Sequence, residues 1–142
     1  MSGEPVCGSC LCGDVRFEVE RPLRDVIVCH CTFCRRSGTN AAAYTWAPHR
    51  AVRLLEPNEL RVYVDRNGRE RSFCGTCGAS LFWVVPGGEG VSISAGALDG
   101  DPGLRVARHI HADSAAPWES LPHGVPVHRE DSSSPVVAGG DE

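Results

Sequence analysis

Eight cysteines carry the chemistry available to this chain, and they fall into three clusters: Cys7, Cys10 and Cys12; Cys29, Cys31 and Cys34; Cys74 and Cys77. Cys74-Gly75-Thr76-Cys77-Gly78 is a Cys-x-x-Cys with glycines at its bend, a knuckle that aims two sulfurs at one centre and supplies half of a tetrahedral zinc site. Gly8-Ser9-Cys10-Leu11-Cys12-Gly13 offers a second glycine-flanked pair. Cys10, Cys12, Cys74 and Cys77 are therefore expected to close a structural site of four thiolates. Cys7 stands three residues before Cys10, competes with Cys12 for that role, and otherwise remains unassigned. A redox-active Cys74–Cys77 pair of thioredoxin type is the alternative, but that motif belongs at the start of a helix in a βαβ unit, a context missing here.

The middle cluster, Cys29-His30-Cys31-Thr32-Phe33-Cys34, supplies three thiolates within six residues. Catalytic zinc sites keep three protein ligands and leave the fourth position open, whereas structural sites close all four. A fourth ligand, whether Cys7, His30 or a distant histidine, would make this site inert. On an extended segment the side chain of His30 points away from those of Cys29 and Cys31, so His30 is expected beside the ligand shell or at the surface. Arg35 and Arg36 follow directly and offer either a bidentate clamp for a substrate carboxylate or a structural ion pair. Thr32 and Phe33 lie inside the ligand loop. Zinc held by three thiolates carries a net charge of about −1, so it acidifies water weakly and better suits alignment of a soft thiol beside an aldehyde carbonyl.

Positioning these residues requires strands. Val15 to Glu20 alternates apolar and polar residues, the period of a half-buried strand. Further strands are predicted over 27–29, 43–46, 51–55, 60–65, 70–73, 80–85, 91–95 and 105–111. Asn67-Gly68 reads as a type I′ hairpin turn, and the glycines at 87, 88 and 90 as another turn. One short helix is predicted, from about Thr32 to Ser37. On the last strand His109 and His111 would share a face, as packing or substrate-contact residues. Trp46, Trp83 and Trp118 could line a pocket or fill the core. The fold class is mainly β, organised as a single domain over residues 1–130, with residues 131–142 a polar tail expected to be disordered.

A chain of 142 residues with 42% hydrophobic content has enough apolar material for one core. All basic residues are arginine, and at a formal charge of −4 they are scattered among acids, which argues against a nucleic-acid partner. No run approaches the roughly 20 apolar residues of a membrane span, and no signal peptide is visible at the N-terminus. The expected location is cytoplasmic, where thiols stay reduced and clustered cysteines point to metal rather than disulfides.

The chain resembles the glutathione-dependent formaldehyde-activating family, whose domain is shared with centromere protein V. The resemblance is carried by Gly8-Ser9-Cys10-Leu11-Cys12-Gly13-Asp14-Val15-Arg16-Phe17, Cys29-His30-Cys31-Thr32-Phe33-Cys34-Arg35-Arg36, Arg71-Ser72-Phe73-Cys74-Gly75-Thr76-Cys77-Gly78 and Pro117-Trp118. It implies a β-tent of packed antiparallel sheets, a structural zinc on the outer pairs and a second zinc on the middle triad, up to two ions per chain. It also implies a carbon-sulfur lyase resembling S-(hydroxymethyl)glutathione synthase, with a small thiol (glutathione or another low-molecular-weight thiol) and an aldehyde as partners. The chain departs from the family pattern at Ala115, where a lysine is common, and at Ser120, where an acid is common. The alternatives are a non-catalytic zinc-stabilised module that binds a small thiol or a protein partner, and a carrier of aldehyde adducts.

Overall fold

The computed structural model describes residues 3–136, which form two compact units: residues 3–24 with 45–104, and residues 25–44 with 105–136. Among the described residues the secondary structure is mainly β, with one α-helix.

The first unit begins with strands β1 (Val6–Ser9) and β2 (Arg16–Val19), which pair antiparallel, and β5 (Val52–Glu56) pairs antiparallel with β2. Strands β6 (Leu60–Val64), β7 (Glu70–Cys74), β8 (Ser80–Val84) and β9 (Gly90–Ser94) form an antiparallel run in the order β9-β8-β7-β6. The core of this unit gathers the inward positions of both sheets: Val15, Phe17, Val19, Leu81 and Ile93 are fully buried, with Val6, Phe82 and Val91 around them. Phe17 and Phe82 meet edge to face, with ring centroids 5.0 Å apart. Gly8 faces Phe17 across the β1–β2 pair, and a Cβ there would collide with the Phe17 ring and the Ala97 carbonyl. Strand β1 was not among the predicted strands, because Val6-Cys7-Gly8-Ser9 has the composition of a turn and pairs only through what lies opposite.

The β6–β7 hairpin also differs from expectation. Its turn runs Asp65-Arg66-Asn67-Gly68, closed by Gly68 N donating to Asp65 O (2.9 Å), and of these residues only Gly68 has a positive φ, so it is not a type I′ turn. The Asp65 carboxylate explains the difference. It accepts from the amides of Asn67 (2.9 Å) and Arg69 (3.1 Å) and from Arg71 Nε (2.9 Å), which fixes the loop from within.

In the second unit β3 (Val26–Cys29) lies between the start of β4 (Ala42–Pro48) and β10 (Val106–Ile110). The β3–β4 pair is antiparallel but β3–β10 is parallel, so the all-antiparallel expectation fails at this pair. A parallel neighbour needs a long connection, and the chain supplies one by leaving this unit after Tyr44 and returning at Arg105. Helix α1 (Thr32–Gly38) follows β3 directly. Strand β10 ends at Ile110, and His111 takes a left-handed conformation (φ 57°) before a short 3₁₀ turn at Ala112–Ser114, so His109 and His111 do not share a strand face. Apolar burial here is sparse, with Val26, Cys34, Ala116 and Val127 beside the buried polar residues His30 and His128.

The tail expected to be disordered is held by hydrogen bonds over Asp131–Val136: Arg129 N donates to Pro135 O (3.2 Å), and Glu130 N donates to Ser134 Oγ (2.8 Å). Residues 137–142 lie outside the described residues. No described helix is long and apolar enough to cross a membrane.

Two stability measurements test this account. Phe17→Ala removes a fully buried ring and should cost about 3–5 kcal/mol in denaturant unfolding, whereas Leu54→Ala, on exposed surface, should cost far less. Burial would raise the Asp65 carboxyl, but hydrogen bonds from Arg71, Arg69 and Asn67 outweigh it and hold the group below the ordinary carboxylate range. A depressed folded pKa stabilises above the unfolded value, and that stability is lost as pH falls through the folded one. Asp65→Asn should therefore lower stability at pH 7 and flatten the loss of stability on acidification below about pH 4. An unchanged acid slope would refute this role for Asp65.

Candidate functional site

Cys10 and Cys12 sit on the β1–β2 connection, which Cys10 N closes by donating to Val15 O (3.0 Å). Cys74 ends β7 and Cys77 lies in the turn before β8, where Cys74 N donates to Ala79 O (3.0 Å) and Gly78 N to Cys74 O (2.8 Å). Gly78 has φ 79°, a conformation open to glycine with little strain, and this reverses the chain beyond the second sulfur. These two turns bring four sulfurs within 4.8 Å of one another. Cys10 and Cys12 Sγ are 3.7 Å apart, and Cys12 and Cys74 Sγ 3.8 Å. A tetrahedron with metal–sulfur bonds of about 2.3 Å has edges of about 3.8 Å, whereas a disulfide is about 2.05 Å. All eight cysteines are free.

Backbone amides already serve these sulfurs: Val15 N donates to Cys10 Sγ (3.3 Å), and Thr76 N to Cys74 Sγ (3.4 Å). Hydrogen bonds from the Ala79 and Cys12 amides pull the Cys77 thiol down to about 6. The Asp14 amide also pulls on Cys12, but desolvation and the neighbouring sulfurs push that thiol up to about 12. Four thiols at these distances can share some negative charge but cannot all ionise without a cation among them. The donor set therefore fits a thiophilic metal, and a tetrahedral arrangement of four sulfurs takes zinc or iron. Cys7 lies apart, exposed on β1, and Cys12 takes the place for which Cys7 competed.

The second cluster is built locally. Cys29 ends β3, Cys31 is the N-cap of α1 in an extended conformation, and Cys34 is buried in the first turn of the helix. Cys34 N donates to Cys31 Sγ (3.3 Å), so the thiol fills the capping position usually held by a serine or aspartate oxygen. The three sulfurs lie within 4.8 Å of one another, and among the described residues no other His, Cys, Asp or Glu ligand atom joins them. The side chains of Cys29 and Cys34 bring the Cys31 thiol down to about 2. In turn the Cys31 side chain drives Cys29 up to about 11, and both neighbours drive Cys34 up. One charge is welcome in this cluster and the next two are opposed, as in the four-sulfur site.

Around the triad the return segment supplies partners that the sequence did not disclose. His30 is buried (2% exposed), and its Nε2 lies 2.8 Å from Nδ1 of His109. Of the two expected places for His30, the surface is therefore excluded. Burial lowers both histidines, with Glu119 partly opposing the shift, so both rings are neutral at pH 7 and share one N–H···N bond. His30 Nδ1 has no partner among the described residues. Arg35 Nη1 donates to Ser114 O (3.2 Å), which ties the helix to the 3₁₀ turn, while Arg36 is exposed on the helix. Asn40, just beyond α1, accepts from Trp118 Nε1 (2.9 Å) and donates to Glu119 Oε1 (2.5 Å). No sequence signal marked Asn40 or Glu119, whereas Trp118 stood in the Pro-Trp pair. Trp46 and Trp83 belong to the first unit.

A family model described as glutathione-dependent formaldehyde-activating enzyme matches residues 5–114. Comparison with curated protein sequences gives no match. Among solved structures, a Rhodobacter sphaeroides protein determined as a structural-genomics target is 29% identical, with the alignment covering 66% of this chain and 88% of that one at a TM-score of 0.57.

Metal analysis separates the two clusters. Purified protein should carry a thiophilic metal. Cys74→Ser should lose metal and unfold at markedly lower temperature, because its site joins distant segments, whereas Cys31→Ser should lose metal with a smaller thermal shift. Elemental analysis with calorimetry reads both, and equal thermal losses would contradict the division of roles.

Proposed function

Since this chain belongs to the glutathione-dependent formaldehyde-activating enzyme family, we propose that it joins an aldehyde to a low-molecular-weight thiol, as a carbon-sulfur lyase resembling S-(hydroxymethyl)glutathione synthase acting in the direction of adduct formation. On this reading zinc occupies both clusters of one β-tent domain, structural on Cys10, Cys12, Cys74 and Cys77, and catalytic on Cys29, Cys31 and Cys34. The observation that carries it is the difference in ligand number, four converging sulfurs in one cluster and three in the other.

In the reaction the thiol sulfur attacks the aldehyde carbon. The carbon-sulfur bond forms as the carbonyl π bond breaks, and the thiol proton ends on the new hydroxyl oxygen. When bound, zinc supplies a template and a Lewis acid that align and polarise the reactants. Cys29, Cys31 and Cys34 fix where that alignment happens, because β3 and the N-cap of α1 hold their sulfurs before substrate arrives. His30, between two of these cysteines in sequence, is bonded to His109, and burial lowers both rings, so the pair adds no positive charge beside the anionic sulfur shell of this reading. Arg35 is engaged with Ser114 O, which leaves the exposed Arg36 as the better placed of the two to pair with a substrate carboxylate.

Formaldehyde adds to thiols unaided, so the test is a rate. NMR exchange between formaldehyde and thiol should run at least about 100-fold above the uncatalysed rate with native protein, and Cys31→Ser should abolish the excess. A Cys31→Ser protein that has lost its metal yet keeps full exchange activity would leave a binding module or an adduct carrier as the function.

A further inference from the structure

Trp118 is 71% exposed, more than any other aromatic residue recorded as exposed, yet its ring is not free to swing. Its indole N–H is bonded to Asn40 Oδ1, and Asn40 is itself oriented by Glu119, so a three-residue network presents one face of a large aromatic ring to solvent. We propose that Trp118 is a specificity-determining residue that packs against the non-reacting portion of the thiol substrate, with Asn40 as its positioning residue. The proposal rests on the thiol-aldehyde reading above and concerns the same site.

Placement supports it. The segment Ala112–Glu119 is fastened to the C-terminal half of the helix that carries Cys34 and to the residue beyond it, through Ser114 O to Arg35 in the last turn and through Trp118 and Glu119 to Asn40 past the end. The indole is bonded to Asn40, which lies past the end of the helix and six residues beyond Cys34, so it stands outside the ligand loop. A thiol whose sulfur reaches the triad would touch Trp118 only through a tail that extends beyond the sulfur, which a two-carbon thiol scarcely has. The ring's exposure otherwise works against solubility, and the hydrogen bond that holds it limits the rotamer entropy lost when a ligand packs on it.

The test compares glutathione with cysteamine, each with formaldehyde, on native protein and on Trp118→Ala, Trp118→Phe and Asn40→Ala. Trp118→Ala should raise KM for glutathione roughly 5–10-fold more than KM for cysteamine, with kcat for glutathione changed little and metal content intact. Asn40→Ala, which frees the ring, should shift KM for glutathione in the same direction by less, and Trp118→Phe should fall between native and alanine. Equal effects on the two thiols, or none, would overturn the proposal. A second measurement keeps it separate from the catalytic reading: glutathione without aldehyde should quench native tryptophan fluorescence saturably, and Trp118→Phe should lose that quenching. If no thiol is turned over but this quenching appears and is lost in the variant, the catalytic reading falls and the contact stands. Absence of saturable quenching in native protein overturns the contact whatever the activity.

Discussion

Sulfurs held within 4.8 Å of one another repel once more than one of them ionises, and both clusters of this protein are arranged around that conflict. A divalent cation resolves it, because each thiolate then faces a charge of opposite sign at about 2.3 Å instead of a like charge further away. The hydrogen bonds from Val15, Thr76, Cys77 and Cys34 amides to sulfur do part of the same work from outside the cluster. The elements around each cluster can be understood as the means of holding sulfurs where they would not otherwise collect.

Sequence separation gives the two clusters different mechanical consequences. Cys12 and Cys74 are 62 residues apart, so a metal shared by them closes a long loop, and its binding free energy is added to folding. The triad closes almost nothing, since its members lie within six consecutive residues. Its geometry is inherited from the end of β3 and the cap of α1, and a metal bound there would contribute little to the stability of distant segments.

The parts legible in the sequence are those set by local spacing. Glycine-flanked cysteine pairs pointed to the four-sulfur group, the 29-31-34 spacing to the triad, and alternation at residues 15–20 with length and composition elsewhere located most strands to within a residue or two. The parts that escaped depend on what lies opposite. Strand β1 pairs through a glycine that only Phe17 explains, β10 runs parallel to β3 for reasons of topology, and the Asn67-Gly68 turn is governed by a carboxylate two residues before it. Composition could not reveal that His30 is buried against His109, because either residue alone resembles an ordinary polar residue of a β protein.

These missed contacts share one origin. His30 with His109, Arg35 with Ser114, and Asn40 with Glu119 are each separated by 79 residues, and Asn40 with Trp118 by 78. The ligand loop is thus written in one short stretch, while the surroundings of the ligands are written in another that lies beside it through the parallel β3–β10 pairing. Such a division lets one part change without the other. Substitutions between Arg105 and Ser120 alter the partners of His30, Arg35 and Asn40 without replacing any cysteine, and Ala115 and Ser120, the two departures from the family pattern, fall in that return segment.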